Sequence, residues 1–136
     1  MRIFLDANVL FSAAKSDGAI RQLVTTLIDA GHECWADAYV SEEARRNLTA
    51  KALEGTVVMD ALLARINLSV EHPSPQALET AGAIAEKDRP VVAAAIRLGC
   101  EALVTGDKTH FNAFYGKTIG GVTIHSPQSI WTASLA

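Results

Sequence analysis

Ile3-Phe4-Leu5-Asp6-Ala7-Asn8-Val9-Leu10 places an acid directly against the end of an apolar run. Ile3, Phe4 and Leu5 read as a buried strand over residues 2–5. Asp6 then interrupts the apolar run. A carboxylate in that position is costly to desolvate, and chains tolerate the cost where it holds a cation or performs chemistry. Asp6 is therefore the first candidate site residue, and the rest of the chain is read for what would gather around it.

Working outward, strands and helices alternate, which is the pattern of a parallel sheet covered on both faces. Ile20, Leu23, Val24, Leu27 and Ile28 have helical spacing over residues 18–30, and Gly31 stands where a helix C-terminus favours glycine. Residues 33–36 read as the second strand. Ser41 is a suitable cap for a helix through Glu43, Ala44 and Leu48. Val57, Val58, Leu62, Leu63 and Ile66 support a third helix, followed by a short strand at 67–70 and a Pro-containing loop at 72–75. Helices are expected at 76–86 and 89–98, and strands at 102–105 and 122–125. Residues 106–121 form a long Gly-containing segment, and Ser126-Pro127 opens a final short helix. The expected architecture is one α/β domain over residues 1–136, with a central, mostly parallel sheet and helices on both faces.

The bulk composition agrees. The 136 residues are 49% hydrophobic and 20% charged, which suits one globular domain with a sizeable core. Cys34 and Cys100 are read as reduced, partly buried thiols, and the four histidines show no zinc spacing with them. There is no signal-peptide pattern and no apolar stretch of membrane-spanning length, so a cytoplasmic location is expected. The net charge of −3 lacks the basic surface of a typical nucleic-acid binder, so such binding would need a local patch or bound metal.

In a parallel α/β sheet, ligands bind beyond the carboxyl ends of the strands. Asp6 and Asp107 follow strands. Asp88 stands at the start of a helix, and Glu43 is expected in the first turn of another. All four therefore fall on one edge. Each has a plainer reading: Asp88 as a helix cap before Arg89-Pro90, Glu43 as a solvated helix residue, Asp107 as a turn residue after Gly106. As a set they are repulsive unless a cation joins them, and hard oxygen ligands select Mg²⁺ or Mn²⁺. Asn8 is read as orienting Asp6 or binding a metal-bound water, and Thr105 as hydrogen-bonding a carboxylate or phosphate. Glu101 precedes its strand, at the opposite edge, and is set aside.

These segments resemble the PIN domain family of nucleases. The resemblance is carried by Ile3-Phe4-Leu5-Asp6, by Glu43-Ala44-Arg45-Arg46-Asn47-Leu48, by Asp88-Arg89-Pro90-Val91-Val92 and by Val104-Thr105-Gly106-Asp107-Lys108. It implies an Mg²⁺- or Mn²⁺-dependent ribonuclease with Asp6, Glu43, Asp88 and Asp107 as catalytic and metal-binding acids. For a small stand-alone member it also implies the toxin role of a toxin–antitoxin pair, a separately encoded antitoxin, and a homodimer. Arg45, Arg46, Lys87, Arg89 and Lys108 lie near the acids in sequence and are candidates for contacting RNA phosphates. His110 is read as pinning the Gly106 loop, with substrate contact as the alternative. Phe111, Phe114 and Tyr115 are read as anchoring that loop to the core, and Trp35 and Trp131 as packing residues. Two alternatives stand beside this reading. One is a non-catalytic binding module. The other is a haloacid-dehalogenase-like phosphatase, which wants a second Asp where Asn8 stands.

Overall fold

A computed structural model describes residues 1–135. Six strands form one sheet in the order β3-β2-β1-β4-β6-β5. They are β1 (Arg2–Leu5), β2 (Glu33–Asp37), β3 (Asn67–Ser69), β4 (Ala102–Val104), β5 (Thr118–Ile119) and β6 (Val122–His125). Every neighbouring pair is parallel except β5–β6. Central strands of such a sheet have helices on both faces, which is why Ile3, Phe4, Leu5, Ala102, Leu103 and Val104 are all buried.

The helices are α1 (Ala7–Lys15), α2 (Ala19–Asp29), α3 (Ala38–Lys51), α4 (Gly55–Leu63), α5 (Pro75–Thr80), α6 (Arg89–Arg97), α7 (Lys108–Phe111) and α8 (Pro127–Leu135). From β1 the chain winds outward through β2 to β3, then returns to place β4 on the other side of β1. The direction of winding reverses between β1 and β4. A crevice opens at the carboxyl ends of two strands related in this way. Asp6 and Thr105 sit at that point, one at the end of each strand.

Several local expectations are corrected. No element was expected between residues 6 and 17, yet α1 fills most of that stretch. Val9-Leu10 continues the apolar run in sequence but belongs to the helix, where Val9, Leu10, Ala13 and Ala14 share a buried face. Asp37, not Ser41, caps α3, because its carboxylate accepts the Val40 N–H at 3.0 Å. The helix therefore begins at Ala38, and Glu43 lies in its second turn. Helix α5 ends at Thr80 rather than continuing to 86. The Gly-containing segment holds an antiparallel edge strand, β5, whose turn to β6 is Gly120-Gly121 with φ of 56° and 84°. Two positive φ values in sequence are what a tight hairpin turn demands, and glycine supplies them without strain. Trp131 is 40% exposed rather than packed.

Packing tolerances are tight where α4 meets α1 and α3. A Cβ on Gly55 would lie 2.9 Å from both the Ala14 carbonyl oxygen and Leu48 Cδ2. Cys34 and Cys100 are buried free thiols, pushed up to about 11 and about 12 by burial, and so unreactive. Among the described residues, no helix is long and apolar enough to cross a membrane.

A candidate acidic metal centre

Asp6 ends β1 and caps α1. Its Oδ1 accepts the Ala7 N–H at 2.7 Å, and its Oδ2 accepts the Thr105 hydroxyl at 2.8 Å. Thr105 is fully buried, and its hydroxyl is used completely. It donates to Asp6 and accepts from Asn8 Nδ2 at 3.1 Å and from the Asp107 N–H at 3.2 Å. Asn8 closes the network by accepting the Gly106 N–H at 2.7 Å and directing its amide at Asp6 Oδ2, 3.4 Å away. The ends of β1 and β4 are thus laced together by side chains, and Asp6 is held in one orientation.

That orientation places a charge where it is poorly solvated. Asp6 is 6% exposed. Burial pushes its carboxyl up to about 6, with the charges of Glu43 and Asp107 adding to the effect. The hydrogen bonds from Thr105 and Ala7 act in the opposite direction and do not overcome it.

Asp88 lies at the N-terminus of α6 but makes no side-chain cap bond. Its Oδ2 is buried and has no hydrogen-bond partner among the described residues. Asp107 caps α7 by accepting the His110 N–H on Oδ1 at 3.1 Å. Its Oδ2 lies 2.8 Å from His110 Nδ1, which is 3.4 Å from Asp88 Oδ2. Asp88, Asp107 and His110 each offer one ligand atom, all within 4.8 Å of one another.

All four acids line one cavity of about 330 Å³. Glu43 enters it from α3 together with Tyr39, Asn47 and Lys51. Residues four apart stack on one helix face, so 39, 43, 47 and 51 form a single stripe directed at the site. Sequence reading missed Tyr39, Asn47 and Lys51, although a step of four from Glu43 in either direction reaches them. Lys87, which it did name, also lines the cavity.

The other basic candidates are placed elsewhere. Arg45 pairs with Asp60 at 2.7 Å. Arg46 is exposed beside it on the outer face of α3, along a shallow groove with Thr49. Arg89 is committed to backbone, donating to the carbonyls of Ile84 at 2.8 Å and Gly82 at 3.0 Å. Lys108 is exposed and does not line the cavity. Phe111 is buried, and the Tyr115 hydroxyl donates to the Thr105 carbonyl at 2.9 Å, which ties the loop to the end of β4.

Several solved structures share this fold. VapBC2 from Rickettsia felis, bound to a promoter DNA fragment, superposes with a TM-score of 0.65 at 15% identity, covering 93% of this chain and 98% of that one. FitAcB from Neisseria gonorrhoeae gives 0.62 at 18% identity over 93% and 98% of the two chains. VapC20 from Mycobacterium tuberculosis, a sarcin–ricin-loop-cleaving toxin, gives 0.59 at 15% identity over 86% and 98%. A search of curated protein sequences found no match. The PIN domain family profile matches residues 2–109, which takes in all four acids and both strands of the switch point. With most of its length matched, the chain belongs to the PIN domain family.

Proposed function

We propose that this protein is a metal-dependent endoribonuclease that hydrolyses RNA phosphodiester bonds and serves as the toxin of a toxin–antitoxin pair. The observation that carries the catalytic reading is the convergence of Asp6, Glu43, Asp88 and Asp107 on one cavity, with a buried Asp88 oxygen left unpartnered among the described residues. The donor set fits a divalent cation. It consists of carboxylates, and one oxygen each of Asp88 and Asp107 already lie within 4.8 Å of one another. Asp6, Asp88 and Asp107 would hold the ion, with Glu43 facing them. Bound Mg²⁺ or Mn²⁺ supplies Lewis acidity toward the phosphate and lowers the pKa of attacking water.

The chain's own residues have definable tasks. Thr105 and Asn8 fix the Asp6 carboxylate. Glu43 stands on the cavity wall, where it can accept a proton from the water that attacks phosphorus. Lys51 and Lys87 bring positive charge to the cavity of an acidic protein and can pair with the phosphates flanking the scissile one. The phosphatase alternative is disfavoured by Asn8, whose amide and carbonyl are both engaged in holding the strand ends together.

The partner assignment has separate support. VapC20, which shares the fold, is described as a toxin that cleaves the sarcin–ricin loop, and VapBC2, which also shares it, is described as bound to DNA from its own promoter. For this chain a separately encoded antitoxin, an RNA substrate, a homodimer and a cytoplasmic location are carried as proposals. The test is cleavage of a mixed structured and single-stranded RNA pool with Mg²⁺ or Mn²⁺, beside the Asp6→Asn protein and an EDTA control. Metal-dependent cutting by the wild type alone supports the reading. Equal cutting by both proteins contradicts it.

A further inference from the structure

His110 does not need its ring to hold the loop. Its backbone N–H already caps through Asp107 Oδ1, and Phe111 and Tyr115 anchor the segment to the core. The imidazole instead faces the two carboxylates across the cavity, 2.8 Å from Asp107 Oδ2 and 3.4 Å from Asp88 Oδ2. Two ligands of one small divalent ion, each bonded at about 2.0–2.2 Å, can stand at most about 4.4 Å apart. The three atoms, all within 4.8 Å of one another, meet that limit after a contraction of a few tenths of an ångström. The Asp88 oxygen has no competing hydrogen bond among the described residues to give up.

We propose that His110 Nδ1 is a direct ligand of the ion held by Asp88 and Asp107, which makes this half of the site a mixed nitrogen–oxygen centre. In the neutral ring with the proton on Nε2, Nδ1 has a lone pair available to an ion. The consequence is selectivity. Mg²⁺ takes oxygen ligands, whereas imidazole suits transition ions, so His110 favours Mn²⁺ over Mg²⁺. The proposal rests on reading the acids as a metal site and adds a ligand to it.

The competing arrangement is electrostatic. A protonated His110 would act as a cation between Asp88 and Asp107 and would have to be displaced by metal. The two arrangements predict opposite effects of removing the ring.

The experiment is electron spin-echo envelope modulation on the full chain loaded with Mn²⁺, with calorimetric titrations of Mn²⁺ and Mg²⁺ into wild type, His110→Leu and His110→Asn. The expected result is ¹⁴N modulation from directly bound imidazole in the wild type and its loss in both variants. Mn²⁺ affinity should fall on the order of tenfold, and Mg²⁺ affinity less. His110→Asn keeps a polar side chain in the turn, so loss of the signal in a folded protein does not depend on His110→Leu. Mn²⁺ bound by the wild type without ¹⁴N modulation overturns the proposal and leaves the acidic site standing. Tighter Mn²⁺ binding by the variants overturns it in favour of the imidazolium cation. A wild type that binds no Mn²⁺ overturns the metal-site reading, and this proposal with it.

Discussion

The two halves of the acidic cavity are built in opposite ways. At the switch point between β1 and β4, Asp6 is buried, capped and hydrogen-bonded, and Thr105 and Asn8 use their polar atoms on it and on each other. Across the cavity, Asp88 has a buried oxygen with no hydrogen bond among the described residues, and Asp107 touches a histidine ring. The first half is a rigid support. The second has donor atoms in excess of their partners. Fully satisfied polar networks fix geometry, and unsatisfied buried oxygens are costly unless something charged arrives. The contrast locates where the protein spends stability on order and where it leaves room for a ligand.

The largest effect on activity is expected on the ordered side. Asp6→Asn should lower metal-dependent RNA cleavage by about 10²–10⁴-fold in single-turnover assays. The same change should stabilise the metal-free protein. The folded carboxyl is raised from 3.8 to about 6, so between those values the native state binds more protons than the unfolded chain. Stability from this group is therefore present at low pH and lost as pH rises through about 4 to 6. At pH 7 the asparagine should add about 1–3 kcal/mol in denaturant unfolding, and the wild-type-minus-mutant difference should vanish below pH 4. A destabilised asparagine variant at pH 7 would break the comparison.

Thr105→Val, which keeps the shape and removes the hydroxyl, strips one donor and two acceptor contacts from the network. It should cost about 1–3 kcal/mol and reduce cleavage as Asp6 loses its orientation. Asp88→Asn should behave differently. It removes a carboxylate that makes no cap bond, so metal-free stability should change by less than about 1 kcal/mol, while metal-induced stabilisation largely disappears. Comparable destabilisation by both substitutions would erase the distinction between the two halves.

The smallest effects separate cations by helix face. Lys51→Ala and Lys87→Ala should each weaken RNA binding by on the order of tenfold at low salt, whereas Arg45→Ala should stay within about twofold, read by filter binding. The reason is geometry. Arg45 is two residues from Glu43, which carries it about 200° around α3, and it pairs there with Asp60. Nearness in sequence is not nearness in space on a helix, which is why Arg45 and Arg46 lie off the cavity while Lys87 lines it. The acids were easier to read because Asp6 and Asp107 follow strands while Glu43 and Asp88 stand near helix starts, and a parallel sheet gathers those positions on one edge. Tyr39 stayed hidden because Ser41 and Asp37 are both good caps, and choosing Ser41 left residue 39 outside the helix; Asn47 and Lys51 were within it either way, one and two steps of four from Glu43. Helix α1 was missed because Val9-Leu10 extends an apolar run, and only the Asp6 cap bond separates strand from helix there. The β5–β6 hairpin had a signal in Gly120-Gly121, but a two-residue edge strand is too short to show alternation.

The central claim is that the cavity is arranged to hold a cation between a finished half and an unfinished one. Thermal unfolding at pH 7 with increasing Mn²⁺ tests it most directly, comparing wild type with Asp88→Asn and with the double variant Asp6→Asn, Asp107→Asn. Ion binding to the native state should raise the wild-type midpoint with metal concentration by mass action. The rise should be largely lost in Asp88→Asn and absent in the double variant. The same rise in all three proteins would place the ion elsewhere and contradict the account.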